Sequence, residues 1–399
     1  MNLVERHAYK PQHSDYAELD HVCFLSKNLY NATLYAVRQH YFNTGEYLNY
    51  NAVNLDFTHN SQPDYIALPR KVSKMTQKLV DKNFASFFAL LKAKKEGKLP
   101  NGFSVKLPMY KHKEKGRQIV HYDKQALSVV EAGFVKLSGT NIKIPTGRQN
   151  VRFVRVSPKE NGIIMVEIGY RQETKLKEVG TIAAIDLGVG NLATVTSPSF
   201  EPFIVNGKPM KSVNQYYNKC LAELKSKQDL SGSKRKTTKR IKALTNKRNN
   251  KINDYMHKAT REITNQLDSK QVAKLVIGYN KGWKQDVNLS KKTNQNFVQI
   301  PFLRFIQMLV YKCELAGIEV TTINEAYTSK CSFLDDEPIR KHKSYMGRRV
   351  KRGLYRSANG VEINADVNAS YNILSKVAGN LNRNSVEVCS TPVVFTIKK

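Results

Sequence analysis

Two aspartates, Asp186 in TIAAIDLGVGNLATV and Asp366 in INADVNASYNIL, stand in settings that can aim carboxylates at one point from distant parts of the chain. The apolar run Thr181 to Ile185 reads as a buried strand with Asp186 at its end, and Gly188 and Gly190 permit a tight hairpin turn into Leu192 to Thr196. Asp366 opens a helix whose Val367, Tyr371 and Leu374 recur at core-facing spacing, so its carboxylate can point back toward that strand. Carboxylates gathered in this way are ligands for hard divalent cations. Taken singly, each aspartate also has a plainer reading, as a solvated turn residue or an N-cap.

The bulk composition narrows the substrate. The chain has 399 residues, 65 Lys and Arg against 33 Asp and Glu, and a formal charge of +32, a field suited to a polyanion rather than a small neutral ligand. It is 41% hydrophobic with 20 Tyr and 16 Phe, which excludes a disordered basic tail and allows two or three packed domains. No run of eighteen apolar residues spans a membrane and no secretory signal opens the chain. The five cysteines (Cys23, Cys220, Cys313, Cys331, Cys389) are scattered and never form a CxxC pair, so reduced thiols are expected and a two-knuckle zinc ribbon is ruled out by spacing.

The elements that must carry the aspartates follow from periodicity. Helices are expected over Asp20 to Phe42 and about Lys71 to Leu91, and between Pro100 and Glu173 short alternating runs predict a small antiparallel barrel or sandwich. Beyond Asp186 come a strand near Pro202 to Val205, a long polar helical region over Val213 to Ser269, and a strand over Gln271 to Ile277. A helix over Phe297 to Leu315, with Pro301 near its first turn, and a strand over Ile318 to Ile323 complete the series. Strand, hairpin, strand, helix, strand, helix, strand, helix is the order of an α/β RNase H-like core, a mixed sheet with helices on its faces. Within residues 234 to 258, ten basic residues face the single acid Asp254. That excess exceeds what intrahelical ion pairing needs and points to phosphate, with Lys234, Arg235, Lys236, Lys239, Arg240, Lys247, Arg248 and Lys251 as contacts.

AIDLGVGNLATV, YMHKATREI around His257, VIGYNKGWKQDVNLSKKTNQNFVQIPF, YTSKCS and ADVNASYNI occur in this order. With them the chain resembles the TnpB (OrfB-type) family of transposon-encoded RNA-guided DNA endonucleases, related to type V CRISPR effectors and Fanzor proteins. The resemblance is specific over the C-terminal half and rests on length, order and texture before it. It implies a RuvC-like nuclease domain over residues 179–328 and 360–380 with a basic helical segment at 208–270. It further implies a wedge-like β-barrel at 1–15 and 99–178, an inserted helical recognition domain at 16–98, a basic insertion at 329–359 and a tail at 381–399.

Two departures from the family pattern matter. Relatives place a third acid at the end of the fourth strand, where this chain has Gly278. Glu325 in TTINEAYTSK lies just beyond the fifth strand, as in a subgroup of the family, and neighbouring strands about 4.8 Å apart put it within reach. Relatives also carry a four-cysteine zinc ribbon before the last Asp; here Cys331 stands alone among basic residues that include Arg348, Arg349, Lys351 and Arg352, so no structural zinc is expected.

The resemblance therefore implies Asp186, Glu325 and Asp366 as catalytic metal ligands. Asp186 would be shared between two Mg²⁺ ions, with Mn²⁺ as substitute, in hydrolysis of a phosphodiester. His257, Lys284 and Gln285, with Arg348, Arg349, Lys351 and Arg352, are further nucleic-acid contacts. A transposon-end-derived guide RNA and double-stranded target DNA are the implied partners, with the protein monomeric in the complex, in prokaryotic cytoplasm or the nucleus of a eukaryotic host. Two other readings remain open at this point: a nuclease-inactive RNA-guided repressor, and a transposase or resolvase on the same core.

Overall fold

The computed structural model describes residues 1–131, 133–159, 162–232, 237–280, 282, 295, 297–379 and 391–397. The chain divides into two compact units, Met1–Glu173 and Thr174–Lys399. No helix among the described residues is long and apolar enough to cross a membrane.

In the first unit, β1 (Asn2–Tyr9) is followed by four helices, α1 (Tyr16–Thr44), α2 (Tyr50–His59), α3 (Pro63–Ile66) and α4 (Arg70–Lys95). The stripes Leu19, Leu29, Leu34, Val37 and Val72, Val80, Phe84, Phe87 are buried in one core, which is why α1 and α4 form where their apolar spacing predicts. Gly45, at φ 72°, ends α1 by donating its N–H to the Tyr41 carbonyl, a left-handed cap that glycine adopts without strain. The short α2 buries only Val53 and Phe57 and depends on the Asn49 cap, too little periodicity to be read from sequence.

Six strands follow: β2 (Val120–Asp123), β3 (Leu127–Glu131), β4 (Phe134–Leu137), β5 (Lys143–Pro145), β6 (Val151–Pro158) and β7 (Ile164–Arg171). They pair as two antiparallel sheets, in the orders β1-β7-β6-β2 and β3-β4-β5. The antiparallel texture is as expected, but among the described residues the pairing forms two separate sheets and closes no ring.

The second unit is built on a six-stranded sheet ordered β12-β11-β8-β9-β10-β16. Its strands are β8 (Thr181–Leu187), β9 (Asn191–Ser197), β10 (Phe200–Asn206), β11 (Val272–Gly278), β12 (Glu319–Ile323) and β16 (Val393–Phe395). The neighbours β8, β11 and β12 run parallel, whereas β9 is antiparallel to both β8 and β10. The polar helical region expected as one stretch is two helices, α5 (Lys208–Leu230) and α6 (Lys239–Ser269). Two more, α7 (Phe302–Leu315) and α8 (Ala365–Ala378), complete the unit.

Strand alternation assigns the two faces. Ala183, Ile185 and Leu187 of β8 share a core with Met256, Ile263, Phe305 and Leu309 of α6 and α7. Ala184 and Val276 share the other with Val367, Tyr371 and Leu374 of α8. Ser370 ties α8 to the sheet through Thr196 Oγ1 (2.9 Å) and the carbonyls of Thr194 (3.1 Å) and Ala184 (3.2 Å).

The basic insertion contains regular structure. β13 (Arg348–Lys351) and β14 (Leu354–Arg356) form a hairpin that continues into β15 (Glu362–Asn364). The buried Glu337 staples it, accepting from the N–H of Ser332 (2.8 Å) and of Met346 (3.0 Å). Phe333 stacks on Tyr371 of α8 with ring centroids 4.7 Å apart.

Candidate active site

Asp186 follows Ala184 by two residues, so the pleat puts it on the α8 side as β8 ends. The turn after it is closed by the Gly188 N–H donating to the Leu192 carbonyl. A Cβ on Gly188 would lie 2.6 Å from the Asn191 carbonyl oxygen, so glycine is needed here for space rather than for its backbone angles.

Asp366 is the second residue of α8, while the cap is Asn364, whose side chain accepts from the N–H groups of Asp366 and Val367. The aspartate is thereby released from capping. Asn191 Nδ2 donates to its Oδ2 at 2.7 Å, and Arg349 Nη2 stands 3.3 Å from its Oδ1.

Glu325 comes two residues after Ile323, the last residue of β12, whose side chain packs in the α8-side core. Its backbone is fixed from several directions. The N–H of Glu325 donates to Asn280 Oδ1 (3.1 Å), its carbonyl accepts from Thr328 Oγ1 (2.8 Å), and Lys376 Nζ donates to the flanking carbonyls of Asn324 (2.9 Å) and Ala326 (2.8 Å). Gly278, opposite Ile323 in the β11–β12 register, has no side chain to obstruct it. A Cβ there would lie 2.9 Å from Glu325 Oε2.

The three acids share one electrostatic environment. Burial, then the negative charges of Asp366 and Glu325, hold the Asp186 carboxyl well above the usual carboxylate range, with Arg349 working the other way. Burial pushes Glu325 up to about 7 against the pull of Lys376. Its Oε2 is buried with no hydrogen-bond partner among the described residues, an arrangement that favours a cation. Among the described residues no three His, Cys, Asp or Glu side chains stand close enough to cage one metal ion. Magnesium requires less, taking one or two carboxylates and completing its shell with water and substrate phosphate, so the carboxylate donors of Asp186, Glu325 and Asp366 suit it in kind.

The basic residues named from sequence divide into three groups. Lys239, Arg240, Lys247, Lys251 and His257 are exposed along α6. Arg348, Arg349, Lys351 and Arg352 are exposed on the hairpin, and Arg349 touches Asp366, while Arg352 Nη2 lies 3.9 Å from where a Cβ on Gly190 would stand. Arg248 requires a correction. Its guanidinium is half-buried, donating to Asn214 Oδ1 (2.7 Å) and the Gln299 carbonyl (2.7 Å), and it ties α6 to α5 rather than facing a phosphate. Lys234, Arg235, Lys236, Lys284 and Gln285 lie outside the described residues. Where relatives would hold zinc, Cys331 Sγ donates to the carbonyls of Pro338 and Arg340, and His342 Nε2 sits 2.7 Å from the Pro338 oxygen.

Sequence reading missed Asn191, Asn280 and Lys376, since no periodicity marks an amide or lysine that acts on a distant backbone. The one available signal was their position, within a few residues of the hairpin glycines, of Gly278 and of the end of α8.

Residues 163–284, which include Asp186 and Gly278, match the OrfB_IS605 family model, described as a probable transposase. Residues 302–373, which include Glu325 and Asp366, match the TNB domain of Cas12f1-like proteins. Over 404 aligned residues the chain is 24% identical to the TnpB-like protein ORF457 of Acidianus two-tailed virus, covering 89% of this chain and 82% of that one. A solved Cas12f1–sgRNA–target DNA complex has a protein of similar fold, with a TM-score of 0.54 at 14% identity over 91% of this chain and 82% of that one. With its motifs, its sheet and these matches in agreement, the TnpB family is supported for this chain.

Proposed function

We propose that this protein is an RNA-guided DNA endonuclease that hydrolyses phosphodiester bonds with Asp186, Glu325 and Asp366 on an RNase H-like core. The observation that carries the reading is that the charges of Asp366 and Glu325 both act on the buried Asp186. The Asp186 carboxyl is raised by burial and then by both other charges, and Glu325 Oε2 has no partner among the described residues. These three residues would hold Mg²⁺ or Mn²⁺, which when bound supplies the positive charge that activates water and stabilises the departing 3′ oxygen. The remaining work falls to the chain itself. Asn191 fixes the rotamer of Asp366, Lys376 and Asn280 fix the turn bearing Glu325, and Arg349 and Arg352 bring positive charge to the rim, where a phosphodiester must approach like charges.

The similarity to TnpB and Cas12f1-like proteins and the net charge of +32 support two polyanionic partners. The solved Cas12f1 neighbour is a complex with sgRNA and target DNA, and we assign the same classes, guide RNA and double-stranded DNA, to this chain. Base pairing would read the target while the protein reads a short flanking motif. The unit Met1–Glu173 would supply the wedge and recognition parts.

Sequencing the RNA that copurifies with the full-length protein, then programming cleavage with it, tests the proposal. The expected result is Mg²⁺-dependent cleavage of guide-matched DNA, lowered more than about 100-fold by Asp186→Ala or Glu325→Ala with RNA binding intact. Protein that carries no RNA, or full cleavage by Glu325→Ala, overturns it. Guided binding without cleavage by the unaltered protein would indicate a repressor instead.

A further inference from the structure

Gly278 ends β11, and its register partner Ile323 ends β12, so the two strands deliver their last residues side by side. Alternation along β11 puts residue 278 on the same face as Val276, the face covered by α8. A side chain at 278 would therefore start out toward the acidic site. That space is already taken. A Cβ on Gly278 would stand 2.9 Å from Glu325 Oε2, 2.5 Å from Ile373 Cδ1 and 3.1 Å from Ile373 Cγ1, and Cβ atoms essentially never approach heavy atoms closer than about 3.0 Å. Backbone conformation gives no reason for glycine here, because Gly278 is absent from the positive-φ positions of the chain.

We propose that Gly278 is a positioning residue for the third carboxylate: the absent side chain leaves a slot, walled by Ile373, that a single acidic side chain can fill from either strand, and Glu325 fills it. The inference rests on the reading of Asp186, Glu325 and Asp366 as metal ligands and explains how the acid can come from the turn after β12 without moving the site. Ile373 forms the back of the slot, and Lys376, one helical turn later on α8, holds the carbonyls on either side of Glu325. The helix bearing Asp366 thus also sets the depth at which Glu325 enters. Any β-carbon at 278 pushes the Glu325 carboxylate outward, whereas a glutamate at 278 enters the slot once Glu325 is removed and Ile373 is trimmed at Cδ1.

Mn²⁺ titration of the RNA-free full-length protein, read by the electron paramagnetic resonance of free Mn²⁺ and accompanied by a thermal melt, tests this without reference to cleavage. Gly278→Ala and Glu325→Ala are each expected to weaken Mn²⁺ binding by about 10- to 100-fold. Gly278→Ala/Ile373→Val, which relieves the clash with Ile373 but not that with Glu325, should remain as weak as Gly278→Ala, and it serves as the reporter if Gly278→Ala alone does not fold. The exchange Gly278→Glu/Glu325→Ala/Ile373→Val, which also removes the Ile373 Cδ1 that a β-carbon at 278 would meet at 2.5 Å, should recover binding to within about tenfold of the unaltered protein. Unaltered binding by Gly278→Ala, or by the Ile373 double variant, alongside loss in Glu325→Ala overturns the slot and leaves the metal site standing. Failure of the exchange to recover binding also overturns it. Unaltered binding by Glu325→Ala removes the metal site itself, and the slot with it.

Discussion

At the scale of single residues, the acids depend on neutral side chains for their aim. Asp366 has Asn191 on one oxygen and Arg349 on the other. The amide fixes the rotamer without neutralising the charge, and partners of this kind tune metal affinity in many sites. Asn191→Ala is expected to weaken Mn²⁺ binding about tenfold while the melting temperature stays nearly constant, because the residue is only partly buried. Calorimetric titration beside a melt distinguishes the two; equal losses in both would give Asn191 a role in packing. The hairpin glycines and Asp186 were recognisable in sequence because a strand followed by a tight turn leaves a local signature. Asn191 was not, since the oxygen it holds lies 175 positions away.

At the scale of elements, α6 and α7 are joined by a buried amine. Lys312 of α7 donates to the His257 carbonyl and to Thr260 Oγ1 of α6. Burial, helped by Arg261, lowers its pKa to about 8 from an ordinary value of 10.5. The unfolded chain then holds this proton more tightly than the folded one between those values, so Lys312 makes stability rise with pH across that window. Melting curves from pH 7.5 to 10.5 should show a steeper upward trend for the unaltered protein than for Lys312→Met. The Cys313 thiol, pushed up to about 11 chiefly by burial, opposes the trend at high pH in both proteins and drops out of the difference. Parallel curves would mean that water reaches the amine. The helices themselves were legible from apolar spacing, but the break that separates α5 from α6 was not, because a uniformly polar, basic stretch has no periodicity to interrupt.

At the scale of the whole molecule, the charge of +32 makes salt the main external control on nucleic-acid binding. Lys239, Arg240, Lys247 and Lys251 are exposed on α6, whereas Arg248 is tied to Asn214 and Gln299. Replacing the four exposed residues with glutamine should flatten the slope of log affinity against log salt by up to about 3 to 4, near 0.7 to 0.9 for each phosphate no longer neutralised. Arg248→Gln should leave the slope nearly unchanged and lower the melting temperature, since it removes hydrogen bonds of a charged group in a half-buried setting. Filter binding across 50 to 300 mM salt, with a melt for each variant, checks both. A slope change in Arg248→Gln equal to that of one exposed lysine would restore it to the phosphate-facing set.

Sequence alone marked the main strands and helices of the second unit, though not the break between α5 and α6, and singled out Asp186 and Asp366, because apolar periodicity, turn glycines and capping residues are local properties of the chain. Glu325 stood as a substitute for a missing acid through family resemblance, without a geometric reason. Only the tertiary structure decided why it fits: whether an acid from the turn after β12 can occupy a place left by β11 depends on strand register, on Ile373 and Lys376 of α8, and on the missing β-carbon at 278. The same holds for Arg248 and for the hairpin that brings Arg349 to Asp366. Charge and composition state what a side chain can do, but packing among residues far apart in sequence decides which partner it meets.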